Sequence, residues 1–340
     1  MVYILTFLAF TAAGGIAGWW SGINPIEQSA FPAFAAFALV FGLYGSVVGI
    51  DLEAIRKQKW LAVMVITVAV PLQILATGAV MYLIEPVVIS FLVAVAITQI
   101  DPLSVDTLLQ DKEGMSEEAK GLLRVWASFD DPVTVLFGFL ILLPLVTGEP
   151  VSVEGGGGSY VVGLLQNLVP AVAVWVMAMR TNWLERQEFA LILLIGLLGY
   201  AFYVEAYLLA AILGLLIRPI PEKYLTRTIS ILYHAIVFVV GMSLYSYGVD
   251  LRFGLILALV EFFIIQPTTT IIIFQGTPKD LLRIAYAQQN GLTTLLMGIA
   301  FQGLGFDVLP ILLPAIIAVN LINLVINKIY SYREAAGFIG

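Results

Sequence analysis

The chain has no cysteine and only one histidine, His234, in 340 residues. The lack of cysteine excludes disulfide bonds, thiolate metal sites and thiol catalysis, and one histidine cannot form a histidine metal cluster. Charged side chains are also scarce at 11% of the residues, whereas hydrophobic residues make up 61%. Soluble globular domains carry about 25% charged residues. The composition therefore indicates a polytopic membrane protein and excludes an ordinary soluble domain.

Runs of lysine or arginine typical of a nucleic-acid footprint are also missing, so the net charge of −7 does not indicate a nucleic-acid partner. Apolar runs long enough to cross a bilayer recur along the chain. They predict an all-α fold in a single membrane domain, 1–340, with about twelve transmembrane helices at 2–20, 31–50, 60–84, 87–109, 119–147, 160–179, 188–202, 204–217, 228–247, 253–275, 280–304 and 309–330.

The basic residues predict the orientation of these spans. Fifteen of the sixteen fall in alternate connections, and only Arg252 lies on the other side. Because basic residues concentrate in cytoplasmic loops, both termini should be cytoplasmic. The same pattern requires a hairpin near Tyr203 to Glu205, since merging the seventh and eighth spans would invert every later one. We expect an integral protein of the cytoplasmic (inner) membrane of a prokaryote-type cell.

Two adjacent carboxylates, Asp130 and Asp131, lie inside the apolar fifth span. An ionisable side chain at membrane depth costs about 2.5–3.5 kcal/mol on insertion scales, so the pair needs an ion, a proton or a partner. Ion or proton handling is the leading hypothesis. A structural role, in which one Asp braces a helix against its neighbour, stays open.

The fourth span carries Asp101 at a similar depth, roughly 12 Å from the cytoplasmic side, so the three carboxylates can share one site. Pro102 disfavours helix at the residue before it and leaves carbonyls free to coordinate a cation, although it can also produce a simple kink. In the eleventh span the polar run 288–291 can interrupt the helix. The parity of the spans permits an inverted repeat in which broken helices four and eleven cross in the core.

Other polar residues allow two interpretations each. Asn320 in the twelfth span either faces the same centre or joins helices through its amide. Glu261 in the tenth span is either a second proton site or a residue near the outer water.

The order of these motifs resembles the monovalent cation/proton antiporter superfamily, which has the sodium/proton antiporter fold. The similar segments are Phe41 to Lys57 (FGLYGSVVGIDLEAIRK), Ile97 to Leu109, and Arg124 to Phe137 (RVWASFDDPVTVLF). The last contains the family's Asn-Asp or Asp-Asp pair. The resemblance implies that Asp131 is the essential ion and proton carrier and that Asp130 is typical of the electrogenic branch.

Two positions depart from the family pattern. Ile100 stands where a threonine normally precedes Asp101, so Thr98 would have to replace that threonine as an oxygen ligand. The tenth span has Gln266 near the position at which the Asp-Asp branch carries a lysine, so electrogenic transport does not follow from the resemblance.

We therefore predict a secondary active antiporter, not an enzyme, that exchanges a monovalent cation, with Na⁺ favoured, for protons by alternating access. Two close carboxylates resist double ionisation, so a cation and a proton compete for them. The predicted Na⁺ ligands are Asp131, Asp101 and Thr98, and Asp130 completes the ion- and proton-binding set. No cofactor is expected. The supporting residues are Gln99, Pro102, Ser128, Gln266, Gln289, Asn290 and Asn320.

The resemblance also implies a homodimer in the lipid bilayer, built from two helix bundles. We expect scaffold and dimer helices at 1–84 and 204–275, core helices at 87–147 and 280–330, and linker helices at 160–202. Two alternatives stay open: a sodium-coupled organic solute symporter of the same architecture, and a non-transporting membrane sensor or channel subunit. The first predicts cation uptake only together with a solute.

Overall fold

A computed structural model describes residues 2–48, 59–101, 105, 109, 115–147, 160–181 and 186–335 of the protein. Pro102 lies outside these residues. The described regular structure is entirely helical. The first helices are α1 (Val2–Ser21), α2 (Phe31–Val48), α3 (Lys59–Ile84), α4 (Ile89–Ile97) and α5 (Glu117–Val135). α5 is continued by the π-helical segment Leu136–Leu142 and the α-helical segment Leu143–Thr147. The later helices are α6 (Tyr160–Arg180), α7 (Gln187–Tyr203), α8 (Tyr207–Leu216), α9 (Glu222–Tyr247), α10 (Leu251–Ile273), α11 (Pro278–Ala285), α12 (Leu292–Gly303) and α13 (Leu309–Ala335).

Seven helical segments in the described part of the chain are long and apolar enough to cross a membrane; they are α2, α3, α5, α6, α9, α10 and α13. α7, α8 and α12 are apolar but shorter. The ten residues of α8 rise only about 15 Å, which is half the thickness of a bilayer's hydrocarbon core. The chain is therefore an all-helical integral membrane protein.

Two of the predicted spans are not continuous helices. α4 ends at Ile97, and residues 99–101 are not helical. Beyond this break, the Asp101 carbonyl accepts a hydrogen bond from the Val105 N–H at 3.2 Å. The predicted span 280–304 is divided into α11 and α12 by the non-helical residues 286–291.

Two helix boundaries illustrate where hydropathy is informative. The hairpin predicted near Tyr203 is present, because α7 ends there and Glu205 adopts a positive φ of 56° before α8 begins. By contrast, α9 begins at Glu222 and not at 228. Its first turns are polar, and a hydropathy criterion assigns such turns to a loop.

The helices pack in two groups. α1 packs along α9, α2 packs against α8, and α6 and α7 also pack against α8. In the second group, α3 packs on α4 and α5, and α10 packs on α13, α11 and α3. The sequence analysis placed α3 and α10 with the scaffold, whereas their chief contacts are with the core helices. α2 lies at the boundary, because it also contacts α5 and α12.

Candidate ion-binding site

α5 places two carboxylates next to each other in the interior. The helix begins after Ser116, whose hydroxyl oxygen accepts the Ala119 N–H at 3.2 Å. This N-cap fixes where the helix starts. Asp130 and Asp131 follow more than three turns later and are 0% and 2% exposed. Because neighbouring residues on a helix point about 100° apart, the two side chains face different partners.

Asp130 faces the end of α4. One of its carboxylate oxygens, Oδ2, accepts the Ile100 N–H at 2.7 Å. That N–H belongs to the non-helical residues beyond α4. The Thr134 hydroxyl lies on the same helix and donates to the Asp130 carbonyl at 2.9 Å, and it accepts a hydrogen bond from Gln99 Nε2 at 2.5 Å. The carboxylate therefore binds the open end of α4.

Asp131 faces α12 and α2. Its Oδ2 accepts a hydrogen bond from the Thr293 hydroxyl at 2.8 Å. α2 packs against both α5 and α12. A Cβ atom at Gly291 would lie 2.4 Å from Asp101 Oδ1, so only glycine lets that carboxyl lie against the backbone there. Asp101 and Asp131 therefore contact residues two apart, Gly291 and Thr293, at the start of α12.

The open end of α4 is joined to residues 286–291. Asn290 Nδ2 donates to the Ile97 carbonyl at 2.7 Å and to the Gln99 carbonyl at 2.9 Å. The Asp101 N–H donates to the Gln289 carbonyl at 2.9 Å. These bonds pair backbone groups that a continuous helix would have paired internally.

An amide on α13 closes the other side of this junction. Asn320 Oδ1 accepts the Asn290 N–H at 2.9 Å, and Asn320 Nδ2 donates to the Asn290 carbonyl at 3.0 Å. The Asn320 side chain therefore pairs with both backbone groups of Asn290. The two interruptions are fixed against each other inside the protein.

The remaining predicted residues have other partners. The Thr98 hydroxyl donates to the Val95 carbonyl of its own helix at 3.4 Å. Gln289 Nε2 donates to Asn323 on α13, and Gln266 accepts a hydrogen bond from Gln73. Ser128 is partly exposed on α5. The site therefore combines Asp130, Asp131, Asp101, Gln99, Asn290 and Asn320, whereas Gln266 belongs to a neighbouring cluster.

The sequence analysis did not identify Thr134 and Thr293. Thr134 follows Asp130 by one helical turn, and this spacing was a usable signal because residues i and i+4 share a helix face. Thr293 shows no such signal, since its contact with Asp131 depends on how α12 packs against α5.

Buried oxygen atoms without hydrogen-bond donors concentrate around this site. In the described part of the chain they include Oδ1 of Asp130 and Asn290 and the side-chain oxygens of Gln99, Gln288 and Gln73. Most buried polar atoms in proteins are paired. Unpaired oxygen atoms are suited to a bound cation, and oxygen ligands suit small hard cations. The described residues contain no group of three or more His, Cys, Asp or Glu side chains able to hold a metal ion.

These features define an integral membrane protein with paired intramembrane carboxylates beside two interrupted helical segments. The chain is similar to the structure of the sodium proton antiporter MjNhaP1 from Methanocaldococcus jannaschii at pH 8, with a TM-score of 0.66 and 15% identity, over 96% of this chain and 90% of that chain. A second structure, from an electron microscopy map of the same antiporter, gives a TM-score of 0.58 and 16% identity over 93% and 86%.

No family model matches the chain, and no curated protein sequence does. The likeness to the solved structures nevertheless covers nearly the whole chain. The protein therefore shares the fold of these solved sodium proton antiporter structures.

Proposed function

We propose that this protein is a secondary active antiporter that exchanges a monovalent cation, with Na⁺ favoured, for protons by alternating access. The observation that carries the proposal is the buried pair Asp130–Asp131 at the junction of two interrupted segments, next to oxygen atoms that lack donors. The fold supports it, because the solved structures that share the fold are described as a sodium proton antiporter.

A cation and a proton compete for Asp131. When ionised, this carboxylate binds the cation with the help of Asp101, and the Thr293 hydroxyl stabilises the same ionised form. When a proton binds Asp131, the charge that holds the cation is lost and the cation leaves. Asp130 keeps one oxygen, Oδ1, without a protein donor, which leaves it available to the cation or to a proton.

We also propose that the interrupted segments are two broken helices of an inverted repeat, which cross at the site. α4 with the non-helical residues 99–101 belongs to one, and α11 with α12 forms the other. The hydrogen bonds from Asn290 to the Ile97 and Gln99 carbonyls support this arrangement. Broken helices are the usual way in which transporters place backbone groups at a midplane ion site.

Alternating access requires two bodies that move against each other. The packing favours a core of α3–α5 and α10–α13 and a scaffold of α1, α2, α8 and α9, with α6 and α7 as linkers. This division moves α3 and α10 out of the scaffold predicted from the sequence. α2 of the scaffold packs against α5, which carries Asp131, so relative motion would open the carboxylate to one side at a time. We propose that the scaffold also forms a homodimer surface, with both termini cytoplasmic.

Proton flux in proteoliposomes tests the proposal. A pH gradient is imposed, and Na⁺, K⁺ or Li⁺ is added in turn to vesicles with the parent protein, Asp131→Asn or the control Asp307→Asn. Asp307 is exposed between α12 and α13 and accepts a hydrogen bond from Gln302, which asparagine can also do. We expect cation-dependent dissipation that is lost only in Asp131→Asn.

Three results contradict the proposal. Exchange that survives in Asp131→Asn removes the assigned carrier. Cation movement that requires an organic solute shows the symporter alternative. Absence of flux with every cation, from protein shown to be folded, favours a non-transporting membrane protein.

A further inference from the structure

A second buried polar cluster lies beside the candidate ion-binding site. It joins α10, α3 and the residues between α11 and α12. Every member is 0% exposed. We call it the Glu261 cluster; its members are Gln73, Thr77, Glu261, Gln266 and Gln288.

Local helix geometry brings these residues together. Glu261 begins a π-helical segment, Glu261–Ile265, within α10. α3 contains another π-helical segment, Val65–Ala69, one turn before Gln73. Such segments are rare in α-helices and occur frequently at functional sites. Gln73 and Thr77 are four residues apart, so they share the face of α3 that meets Glu261.

Among the described residues, the hydrogen-bonding partners of the Glu261 carboxylate are neutral. The Thr77 hydroxyl donates to Oε2, and the Nε2 groups of Gln73 and Gln288 lie 3.5 Å from Oε1. An ionised carboxylate buried among neutral groups is costly unless a positive charge compensates it. Glu261 therefore needs a proton or a cation.

The orientation of the amides disfavours a bound cation. Gln73 and Gln288 both present their nitrogen ends to Oε1, and these N–H groups would repel a cation bound there. Donors also stabilise an ionised carboxylate, so it is burial among neutral groups that favours the proton. A protonated carboxyl needs one acceptor for its O–H, and the Thr77 oxygen in contact with Oε2 serves once its own hydrogen turns to another acceptor.

The Glu261 cluster is connected to the ion-binding site. Gln288 Nε2 lies near Glu261 and also donates to the Ile97 carbonyl at 2.9 Å, at the end of α4. Asp130 binds the same end of α4 through the Ile100 N–H, so Gln288 links the two carboxyl sites. α11, which packs on the second half of α10, carries the further charged groups Lys279, Asp280 and Arg283.

We propose that Glu261 is a second proton-binding site, which takes up and releases one proton. Its part in transport rests on the proposed antiport: a proton on Glu261 would move with the core and add one proton to each exchange cycle. Proton binding converts the Glu261 carboxylate to a carboxylic acid, and no other bond changes.

Infrared spectroscopy of the purified protein tests proton binding without transport. The absorption of protonated carboxyl groups is followed as the pH is raised, in the parent, in Glu261→Gln and in the control Glu188→Gln, whose side chain is exposed on α7. Besides the bands of Asp130 and Asp131, which all three proteins keep, we expect a titrating protonated-carboxyl band that is absent only from Glu261→Gln. Identical spectra in the three proteins overturn the proposal.

A second variant keeps the test decisive if Glu261→Gln does not fold. Glu261→Asp retains an acid on a shorter side chain, so the band should persist with a changed frequency or titration midpoint. A band that is identical to the parent's overturns the proposal.

The transport measurement separates this proposal from the antiport itself. In proteoliposomes, Glu261→Gln should still exchange cations but move one proton fewer per cation than the parent and Glu188→Gln. An unchanged ratio overturns the role of Glu261 in transport. A parent protein that titrates at Glu261 but exchanges nothing contradicts the proposed antiport and supports the proton site.

Discussion

The hydroxyl of Thr293 is the one side-chain contact that joins Asp131 to α12. It donates to Asp131 Oδ2 at 2.8 Å and stabilises the ionised carboxylate. A hydrogen bond to a charged group contributes about 1.5–3 kcal/mol. In Thr293→Val a proton should therefore compete more strongly with the cation, and the cation concentration for half-maximal exchange at fixed pH should rise about 10- to 100-fold. Proton flux in proteoliposomes measures this change.

Two variants serve as controls for this prediction. Thr293→Ser keeps the hydroxyl and should retain most of the cation affinity. Thr11→Val removes a buried hydroxyl that donates only to the Phe7 carbonyl of its own helix, so exchange should not change. If Thr293→Val exchanges cations like the parent, the hydrogen bond does not control ionisation of Asp131.

At this scale the sequence identified charged residues better than their neutral partners. Asp130 and Asp131 are conspicuous because a charge in an apolar run has to be compensated. Gln73 and Thr77 also lie in an apolar span, but a neutral polar residue there has several ordinary explanations. Their contact with Glu261 depends on how α3 packs against α10, and local sequence does not encode that register.

α1 and α9 pack with their backbones in close contact at glycine positions, where no side chain separates the two helices. A Cβ at Gly14 would lie 2.1 Å from the Phe238 carbonyl oxygen and 3.0 Å from the Met242 nitrogen. Backbone atoms cannot rotate away as a side chain can. Gly14→Ala should therefore push the helices apart and destabilise the protein by about 1–3 kcal/mol, the usual cost of overpacking. Thermal unfolding in detergent should show a lower midpoint.

The adjacent glycine provides a matched control for this packing. A Cβ at Gly15 would meet only the Gly241 carbonyl oxygen, at 3.7 Å, which is ordinary contact. Gly15→Ala should therefore unfold at the parent's midpoint or slightly higher, since alanine favours helix. Equal destabilisation by both substitutions would show that the close approach at Gly14 is not the cause, because only Gly14 meets backbone atoms within 3.0 Å.

The position of a helix interruption was easier to predict from the sequence than the hydrogen bonds that form there. The polar run at 288–291 signals a possible break because Asn and Gly are poor helix formers. The sequence does not show that Asn320 pairs with both backbone groups of Asn290, or that Asn290 reaches the Ile97 carbonyl. These bonds join segments that are distant in the chain, so they form only once the helices have packed.

For the molecule as a whole, hydropathy predicted an integral membrane protein. The assignment of helices to two bodies stays a prediction. The sequence analysis placed α3 and α10 with the scaffold helices that precede them. α3 packs mainly on the helices that follow it, α4 and α5, and α10 packs mainly on α11 and α13.

The absence of cysteine makes motion between the two bodies testable by cross-linking. At the boundary, a Cβ at Gly42 of α2 would lie 2.8 Å from Leu296 Cδ1 of α12, so side chains at these two positions meet and a cysteine pair there is a candidate cross-link. Oxidation of Gly42→Cys/Leu296→Cys should join scaffold to core and reduce exchange at least about tenfold, as expected when a required conformational step is blocked. A reductant should restore the flux.

A second cysteine pair distinguishes blocked motion from damage by the cross-link. A Cβ at Gly298 of α12 would lie 2.5 Å from Leu312 Cδ2 of α13, and both helices belong to the proposed core. Oxidation of Gly298→Cys/Leu312→Cys should therefore leave exchange unchanged, because no relative motion crosses that contact. If this pair also stops exchange, motion occurs within the core and the proposed division is wrong. If neither oxidised pair stops exchange, the cation reaches Asp131 without relative motion of α2 and α12.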